Sequence, residues 1–143
     1  MAVYTVDASV FLNAFNPHED GHETSRQFLA ALRRQAEPIV VPTLLLPEVA
    51  AAVRRGRGDS DLARRFAQAL GRFPHLVLVP IDETLAHQAI EVAADHSLRG
   101  SDAVYVAVAL RYSSTLVTLD QEQRERASST VTAYEPQQAL AGL

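Results

Sequence analysis

Short apolar segments alternate with helical segments along this chain of 143 residues, and this alternation constrains the fold more than any other feature. Parallel strands need long crossover connections, which are usually helices, so the alternation favours a parallel sheet with right-handed crossovers. The strands are predicted within residues 4–9, 38–42, 76–79, 115–118 and 131–134. Without repeats or linker-like stretches, the sequence predicts one α/β domain over residues 1–143, with a central parallel sheet of about four to five strands flanked by helices.

The helical segments are recognised by apolar residues that recur at helical spacing. They are predicted at residues 9–15, 20–34, 43–55, 61–73, 82–96, 102–112 and 121–127, with a final turn in the tail. Thr43 and Ser101 are the expected N-caps of the third and sixth helices, and Gly100 is expected to end the fifth. The sixth helix is apolar nearly all round, which predicts a place in the core. The strand at 76–79 is continuously apolar, as buried parallel strands are.

The composition is that of an ordinary globular protein, with 48% hydrophobic and 21% charged residues. The chain contains no Cys, which excludes disulfides and thiolate metal sites and suits a reducing compartment. No apolar run is long enough to span a membrane, and the N-terminus lacks the pattern of a signal peptide. The expected location is therefore the cytoplasm.

The chain is acidic overall, and its basic residues are all of one type. The net charge is −4, and all 13 basic residues are Arg. An acidic chain argues against a general nucleic-acid coat protein, although a nucleic-acid enzyme can approach phosphate through metal ions. The groups Arg54/Arg55/Arg57 and Arg64/Arg65 are candidates for binding RNA or a protein partner, and a plain solvated face is an equally good interpretation.

Acidic residues stand at the ends of four predicted elements. Asp7 and Asp120 each follow a strand, whereas Glu48 and Asp102 lie early in helices. Helix capping explains Asp102 as well as chemistry does, but it explains Glu48 poorly and hardly accounts for two acids that end neighbouring strands. Carboxylates that converge repel one another unless a cation intervenes. Oxygen ligands alone suit a hard cation such as Mg²⁺ or Mn²⁺, whose natural task is phosphoryl chemistry.

The acids belong to four short motifs that occur in order along nearly the whole chain. These motifs are Val6-Asp7-Ala8-Ser9, Pro47-Glu48-Val49, Gly100-Ser101-Asp102-Ala103 and Thr118-Leu119-Asp120. With them the sequence resembles the PIN-domain ribonucleases, most closely the VapC-type toxins of bacterial toxin–antitoxin pairs. The ordered set of four motifs is fairly specific, although each is weak alone.

The resemblance implies a metal-dependent endoribonuclease that hydrolyses RNA with a metal-activated water. It implies that four acids are the catalytic and Mg²⁺- or Mn²⁺-binding residues; this acidic quartet is Asp7, Glu48, Asp102 and Asp120. Ser9 and Thr118 would orient a carboxylate or a metal-bound water. A further acid sometimes follows the fourth, and Glu122 is the nearest candidate. The resemblance also implies a homodimer and a cognate antitoxin that fills the active-site groove, often with an Arg that reaches the acids.

Two other functions remain open from the residues themselves. One is a catalytically inactive PIN-like binding module, although such a module has no need of four repelling acids. The other is a Mg²⁺-dependent phosphatase with Asp7 as nucleophile; the haloacid-dehalogenase-like pattern has a second Asp where this chain has Ser9.

Two further residue pairs have an ordinary structural interpretation. The pair His18 and His22 has ligand spacing but no third partner, which disfavours a zinc site. Tyr105 and Tyr112 are expected to be core or dimer contacts rather than base-stacking platforms.

Overall fold

The computed structural model describes residues 2–143 and shows a single five-stranded sheet whose strands all run parallel. The strands are β1 (Tyr4–Val6), β2 (Ile39–Pro42), β3 (Leu76–Val79), β4 (Thr115–Val117) and β5 (Ala133–Tyr134). Their order across the sheet is β3-β2-β1-β4-β5. The predicted α/β fold is therefore confirmed, with the sheet at the upper end of the expected strand number.

Eight helices flank this sheet in residues 2–143. They are α1 (Ala8–Phe15), α2 (His22–Arg34), α3 (Leu45–Arg57), α4 (Ser60–Gly71), α5 (Glu83–His96), α6 (Gly100–Arg111), α7 (Gln121–Ala127) and α8 (Pro136–Ala141). None of these helices is long and apolar enough to cross a membrane. The tail, which the sequence predicts as a turn, forms α8 and packs against α2 and β5.

The central strand β1 pairs with β2 on one side and with β4 on the other. The chain moves outward from β1 in one direction through β2 and β3, and later in the other direction through β4 and β5. The strand order thus reverses between β1 and β4, and ligands of open α/β sheets bind at the carboxyl ends of the strands at such a point. Val6 lies opposite Val117 in the ladder, so Asp7 and Thr118 leave the sheet side by side.

Helix α6 lies in the core, as the sequence predicts. Its residues Ala103 and Tyr105–Ala109 are buried. The helix packs against β1, β2 and β4, with α5 also in contact. An apolar surface around the whole circumference is what a helix between a sheet and a second helix requires. This packing directs the first turn of α6, which carries Asp102, toward the carboxyl ends of β1 and β4.

Strand β3 is not buried as predicted. It lies at the edge of the sheet, and the Val77 side chain is 47% exposed. A continuous apolar run has the same appearance in a central strand and in an edge strand, because the position in the sheet is set by the chain's crossovers and not by the run itself.

The two predicted N-caps are also wrong. Helix α3 follows Leu44, and the Thr43 side chain makes no capping hydrogen bond; Pro47 is accommodated in the first turn. Helix α6 starts at Gly100 after Arg99, so Ser101 lies inside its first turn. Gly100 therefore begins a helix instead of ending one. The preceding helix α5 ends at His96, and its C-cap Ser97 adopts the left-handed conformation with φ of 54°.

Candidate active site

Asp7 lies directly after β1 and is only 8% exposed. Its carboxylate caps α1, accepting a hydrogen bond at Oδ2 from the Ser9 backbone N–H at 3.2 Å. The same Oδ2 accepts from the Thr118 hydroxyl at 3.1 Å. Helix α1 begins at Ala8, one residue before the start expected from Ser9. Asp7 is thus both an N-cap and a fixed carboxylate at the edge where ligands bind in such sheets.

The hydroxyls of Ser9 and Thr118 join the ends of β1 and β4. Their oxygens lie 3.4 Å apart, and Ser9 Oγ also accepts from the Leu119 N–H at 3.1 Å. Thr118 Oγ1 accepts from the Asp120 N–H at 3.1 Å while it contacts Asp7. The Thr118 hydroxyl is therefore placed to orient the Asp7 carboxylate, one of the two roles that the resemblance implies for it.

Gln123 is a member of this network that the sequence analysis missed. It is 1% exposed, and its Oε1 lies 2.9 Å from Thr118 Oγ1. A hydroxyl has one hydrogen, so Thr118 cannot donate to Asp7 and Gln123 at once. Within the described chain, Gln123 Nε2 is buried without a hydrogen-bond partner. A signal was available in the spacing, because Gln123 is three residues after Asp120, and its N–H donates to the Asp120 carboxylate at 3.1 Å.

Asp102 and Asp120 are joined by Arg99. The Arg99 Nε lies 3.1 Å from Asp102 Oδ2, and its Nη2 lies 3.0 Å from Asp120 Oδ2. Asp120 also caps α7 through the Gln123 N–H, whereas Asp102 makes no capping hydrogen bond to α6. Capping therefore accounts for Asp120 but not for Asp102, whose interpretation the sequence left open. The contact with Arg99 was not predicted from the sequence.

Glu48 projects from the first turn of α3 and is held by a tyrosine of α6. The Tyr105 hydroxyl donates to Glu48 Oε1 at 2.7 Å. Tyr105 lies three residues after Asp102, so both project from the same side of α6. The Tyr105 ring is a core residue, as expected, but its hydroxyl reaches the acids. Burial, with Glu48 nearby, raises the pKa of Tyr105, which keeps the hydroxyl protonated as a donor.

The charges of neighbouring acids affect the ionisation of Glu48 and Asp102. Burial raises the pKa of Glu48, the hydrogen bond from Tyr105 opposes this, and the charges of Asp7 and Asp102 raise it further. Burial also raises the pKa of Asp102 against the effect of Arg99, and the charges of Asp7 and Asp120 add to the rise. The structure thus brings the whole acidic quartet to one edge of the sheet.

The fit of the quartet to a divalent cation depends on its donor atoms and on their arrangement. No three acid, His or Cys side chains in residues 2–143 lie in an arrangement that would hold a metal ion. The donor set nevertheless consists of carboxylates alone, and carboxylate oxygens are the ligands of hard-cation sites. The Arg99 guanidinium supplies a positive charge between Asp102 and Asp120. By the chemistry of their donors the residues therefore suit Mg²⁺ or Mn²⁺.

The remaining candidates lie outside the quartet. Glu122 is at the rim of a narrow crevice beside Arg99 and pairs with Arg126 at 2.7 Å. His22 bonds the Asn13 carbonyl at 2.9 Å and so ties the α1–α2 loop, while His18 is exposed. A separate cavity of about 370 Å³ lies between α5 and α6 and includes none of the quartet.

The basic candidates are exposed. Arg54, Arg55 and Arg57 lie in the last turns of α3, where positive charge suits the helix dipole. Arg57 also stacks over the Phe15 ring at 5.5 Å. Tyr112 at the end of α6 is 41% exposed and is therefore not a core residue.

If the quartet holds a metal ion, Tyr105→Phe will weaken that binding on the acid side of neutrality. The hydrogen bond from Tyr105 lowers the pKa of Glu48, so its removal will raise that pKa and leave Glu48 protonated at higher pH. The loss of a buried hydrogen bond will also cost about 1 kcal/mol of stability. Mn²⁺ titrations over a pH series will show the affinity midpoint moving to higher pH. Tyr112→Phe is the control, and equal midpoints in the two variants would contradict the role of Tyr105.

Comparisons with known proteins concern the fold and the family of the chain. A comparison with curated proteins found no match. Among solved structures, VapC20 from Mycobacterium tuberculosis, described as a sarcin–ricin loop cleaving toxin, has a TM-score of 0.71 at 18% identity, covering 92% of this chain and 97% of its own. VapBC2 from Rickettsia felis, bound to a promoter DNA fragment, has a TM-score of 0.70 at 14% identity and covers 92% and 98%. FitAcB from Neisseria gonorrhoeae has a TM-score of 0.69 at 18% identity and covers 94% and 97%.

These similarities show a shared fold. The family model described as the PIN domain matches residues 4–128, which include all four acids and both hydroxyl residues. Because the match covers most of the chain, the protein belongs to the PIN-domain family.

Proposed function

We propose that this PIN domain is a metal-dependent endoribonuclease that acts as the toxin of a toxin–antitoxin pair. The observation that supports this most directly is the convergence of the acidic quartet from β1, α3, α6 and the start of α7 at the point where the strand order reverses. A structural role explains the two capping acids, Asp7 and Asp120, but gives no reason for Glu48 and Asp102 to face them.

In this proposal the quartet holds Mg²⁺ or Mn²⁺, and the bound ion supplies an activated water and neutralises charge on the scissile phosphate. The protein's own residues keep the carboxylates in place. Thr118 and the Ser9 N–H orient Asp7, and Tyr105 fixes Glu48. Ser9 in turn aligns the segment that carries Asp120 through the Leu119 N–H.

The toxin role rests on the solved relatives. They include VapBC and FitAB assemblies and a VapC that cleaves the sarcin–ricin loop. For this chain we propose an RNA substrate, a cognate antitoxin and a homodimer. We also propose that the domain occupies residues 1–143, beyond the matched range 4–128, because α8 packs onto α2.

One observation favours the alternative of a PIN-like binding module. Arg99 already compensates Asp102 and Asp120, so those acids do not require a metal ion. The phosphatase alternative gains no such support. The Ser9 hydroxyl, at the position of the missing second Asp, is engaged with Thr118 and Leu119.

RNA cleavage by purified protein tests the proposal, with Mg²⁺ or Mn²⁺ in one arm and EDTA in another. Asp102→Asn is prepared identically, because it keeps the shape of a side chain that caps nothing. Asp61→Asn is the matched control, since Asp61 is exposed on α4 and only pairs with Arg64. We expect metal-dependent cleavage that survives in Asp61→Asn and is lost in Asp102→Asn. Absence of cleavage in every protein would favour the binding module, and equal cleavage in all would reveal a contaminant.

A further inference from the structure

Arg99 is the one cation in residues 2–143 that pairs with members of the acidic quartet. Its guanidinium contacts both Asp102 and Asp120, at 3.1 and 3.0 Å. Asp7 and Glu48 are instead held by uncharged donors. The positive charge is therefore concentrated on half of the site.

The backbone of Arg99 is fixed, whereas its side chain is held mainly by its two ion pairs. Arg99 occupies the N-cap position of α6, and its carbonyl accepts from the Ala103 N–H at 2.9 Å. The neighbouring Leu98 is buried. In contrast, the Arg99 side chain is 75% exposed, so little packing holds it in one rotamer. A long side chain on a fixed base can leave the two carboxylates and still remain beside them.

A divalent cation and Arg99 would compete for the same two carboxylates. Arg99 contacts Asp102 Oδ2 and Asp120 Oδ2, and an ion bound by these side chains would repel the guanidinium. An RNA phosphate drawn to the ion would then lie within reach of the displaced side chain. The guanidinium fork matches phosphate as well as carboxylate geometry, and a charge-assisted pair of this kind is strong.

We propose that Arg99 is a built-in counter-cation that holds Asp102 and Asp120 in the absence of metal and transfers to the RNA phosphate when a metal ion binds. This inference rests on the proposed nuclease function and names a substrate-binding residue for it. It makes two predictions of opposite sign for one substitution: removal of Arg99 strengthens metal binding and weakens RNA binding.

Metal binding is measured first, by Mn²⁺ titration of the full chain without RNA. We expect Arg99→Ala to bind Mn²⁺ about three- to tenfold more tightly, since exposed ion pairs of this kind contribute modestly. Arg99→Lys keeps the charge but loses the fork and should lie between Arg99→Ala and the native protein. Arg34→Ala is the matched control, because α2 ends before β2 begins and places Arg34 at the opposite edge of the sheet.

RNA binding is measured next, by fluorescence anisotropy of a labelled single-stranded RNA oligonucleotide with Ca²⁺ in place of Mg²⁺. Recovery of intact RNA afterwards verifies that no cleavage occurred. We expect Arg99→Ala to bind this RNA several-fold more weakly and Arg34→Ala to bind it as the native protein does. Circular dichroism verifies that each variant is folded. If Arg99→Ala is not folded, Arg99→Lys is compared with the native protein in its place.

Unchanged or weaker Mn²⁺ binding in Arg99→Ala would overturn the competition. Tighter Mn²⁺ binding with unchanged RNA binding would overturn the transfer to phosphate. Both readouts are independent of cleavage. A native protein that binds Mn²⁺ but cuts no RNA would therefore contradict the proposed function. The two binding measurements would still test the role of Arg99.

Discussion

Asp7→Asn will lower RNA cleavage on the order of a thousandfold while the protein stays folded. Metal-ion stabilisation of a transition state is worth several kcal/mol, and each 1.36 kcal/mol is a factor of ten in rate. Asn caps a helix about as well as Asp, so the bonds that Asp7 accepts from the Ser9 N–H and the Thr118 hydroxyl have an acceptor in the variant. The change therefore removes the charge without removing the cap.

Cleavage rates and thermal unfolding in EDTA are measured on the same preparations. Asp59→Asn is the control, because Asp59 also caps a helix, α4, but is exposed and belongs to no acid cluster. Native-like cleavage by Asp7→Asn would show that Asp7 is only a cap. A fall in melting temperature much larger than that of Asp59→Asn would show that its charge stabilises the fold.

Millimolar Mg²⁺ or Mn²⁺ will stabilise the protein by about 2.7 kcal/mol at a hundredfold excess over Kd, because a ligand that binds only the folded state shifts unfolding by mass action. For a chain of this size that corresponds to roughly 5–10 °C in melting temperature. The stabilisation will be largest at neutral pH and will fade in acid, since the pKa values of Glu48 and Asp102 are raised and protonated carboxylates do not bind the ion.

In EDTA the same two groups act on stability in the opposite direction. The pKa values of Glu48 and Asp102 are higher in the folded than in the unfolded protein. At pH values between the unfolded-state and the folded-state pKa of each group, the folded state therefore binds more protons. Their contribution to the free energy of unfolding therefore falls as pH rises through the ordinary carboxylate pKa and the raised one. In the absence of metal, lowering the pH from neutrality toward that window protonates Glu48 and Asp102 and so raises the free energy of unfolding.

Thermal unfolding at a series of pH values, with and without metal, measures both effects. Glu48→Gln removes one of the two titrating groups, so its unfolding temperature in EDTA will depend less on pH than that of the native protein. It will also lose much of the response to metal. A native protein whose melting temperature does not respond to millimolar metal at neutral pH would contradict a metal site, and identical pH profiles in the two proteins would contradict the raised pKa of Glu48.

Local patterns in the sequence were enough for the architecture. Strand–helix alternation predicted the parallel sheet, and the all-round apolar character of residues 102–112 predicted the buried helix α6. The positions of Asp7 and Asp120 after strands already predicted that they meet, because the carboxyl ends of neighbouring parallel strands lie at one edge. Local patterns failed at the caps Thr43 and Ser101, among other places, because α3 and α6 begin after Leu44 and Arg99, whose side chains make no capping hydrogen bond.

The sequence by itself thus determined which acids are available and to which edge of the sheet they belong, because periodicity and strand ends are local properties. Only the tertiary structure decided the partners that lie far away along the chain. Arg99 reaches Asp120 across 21 positions, Tyr105 reaches Glu48 across 57, and Thr118 reaches Asp7 across 111. Such contacts depend on the order of strands in the sheet and on how α6 crosses it, and no short-range pattern encodes either. The same long-range order placed β3 at an exposed edge.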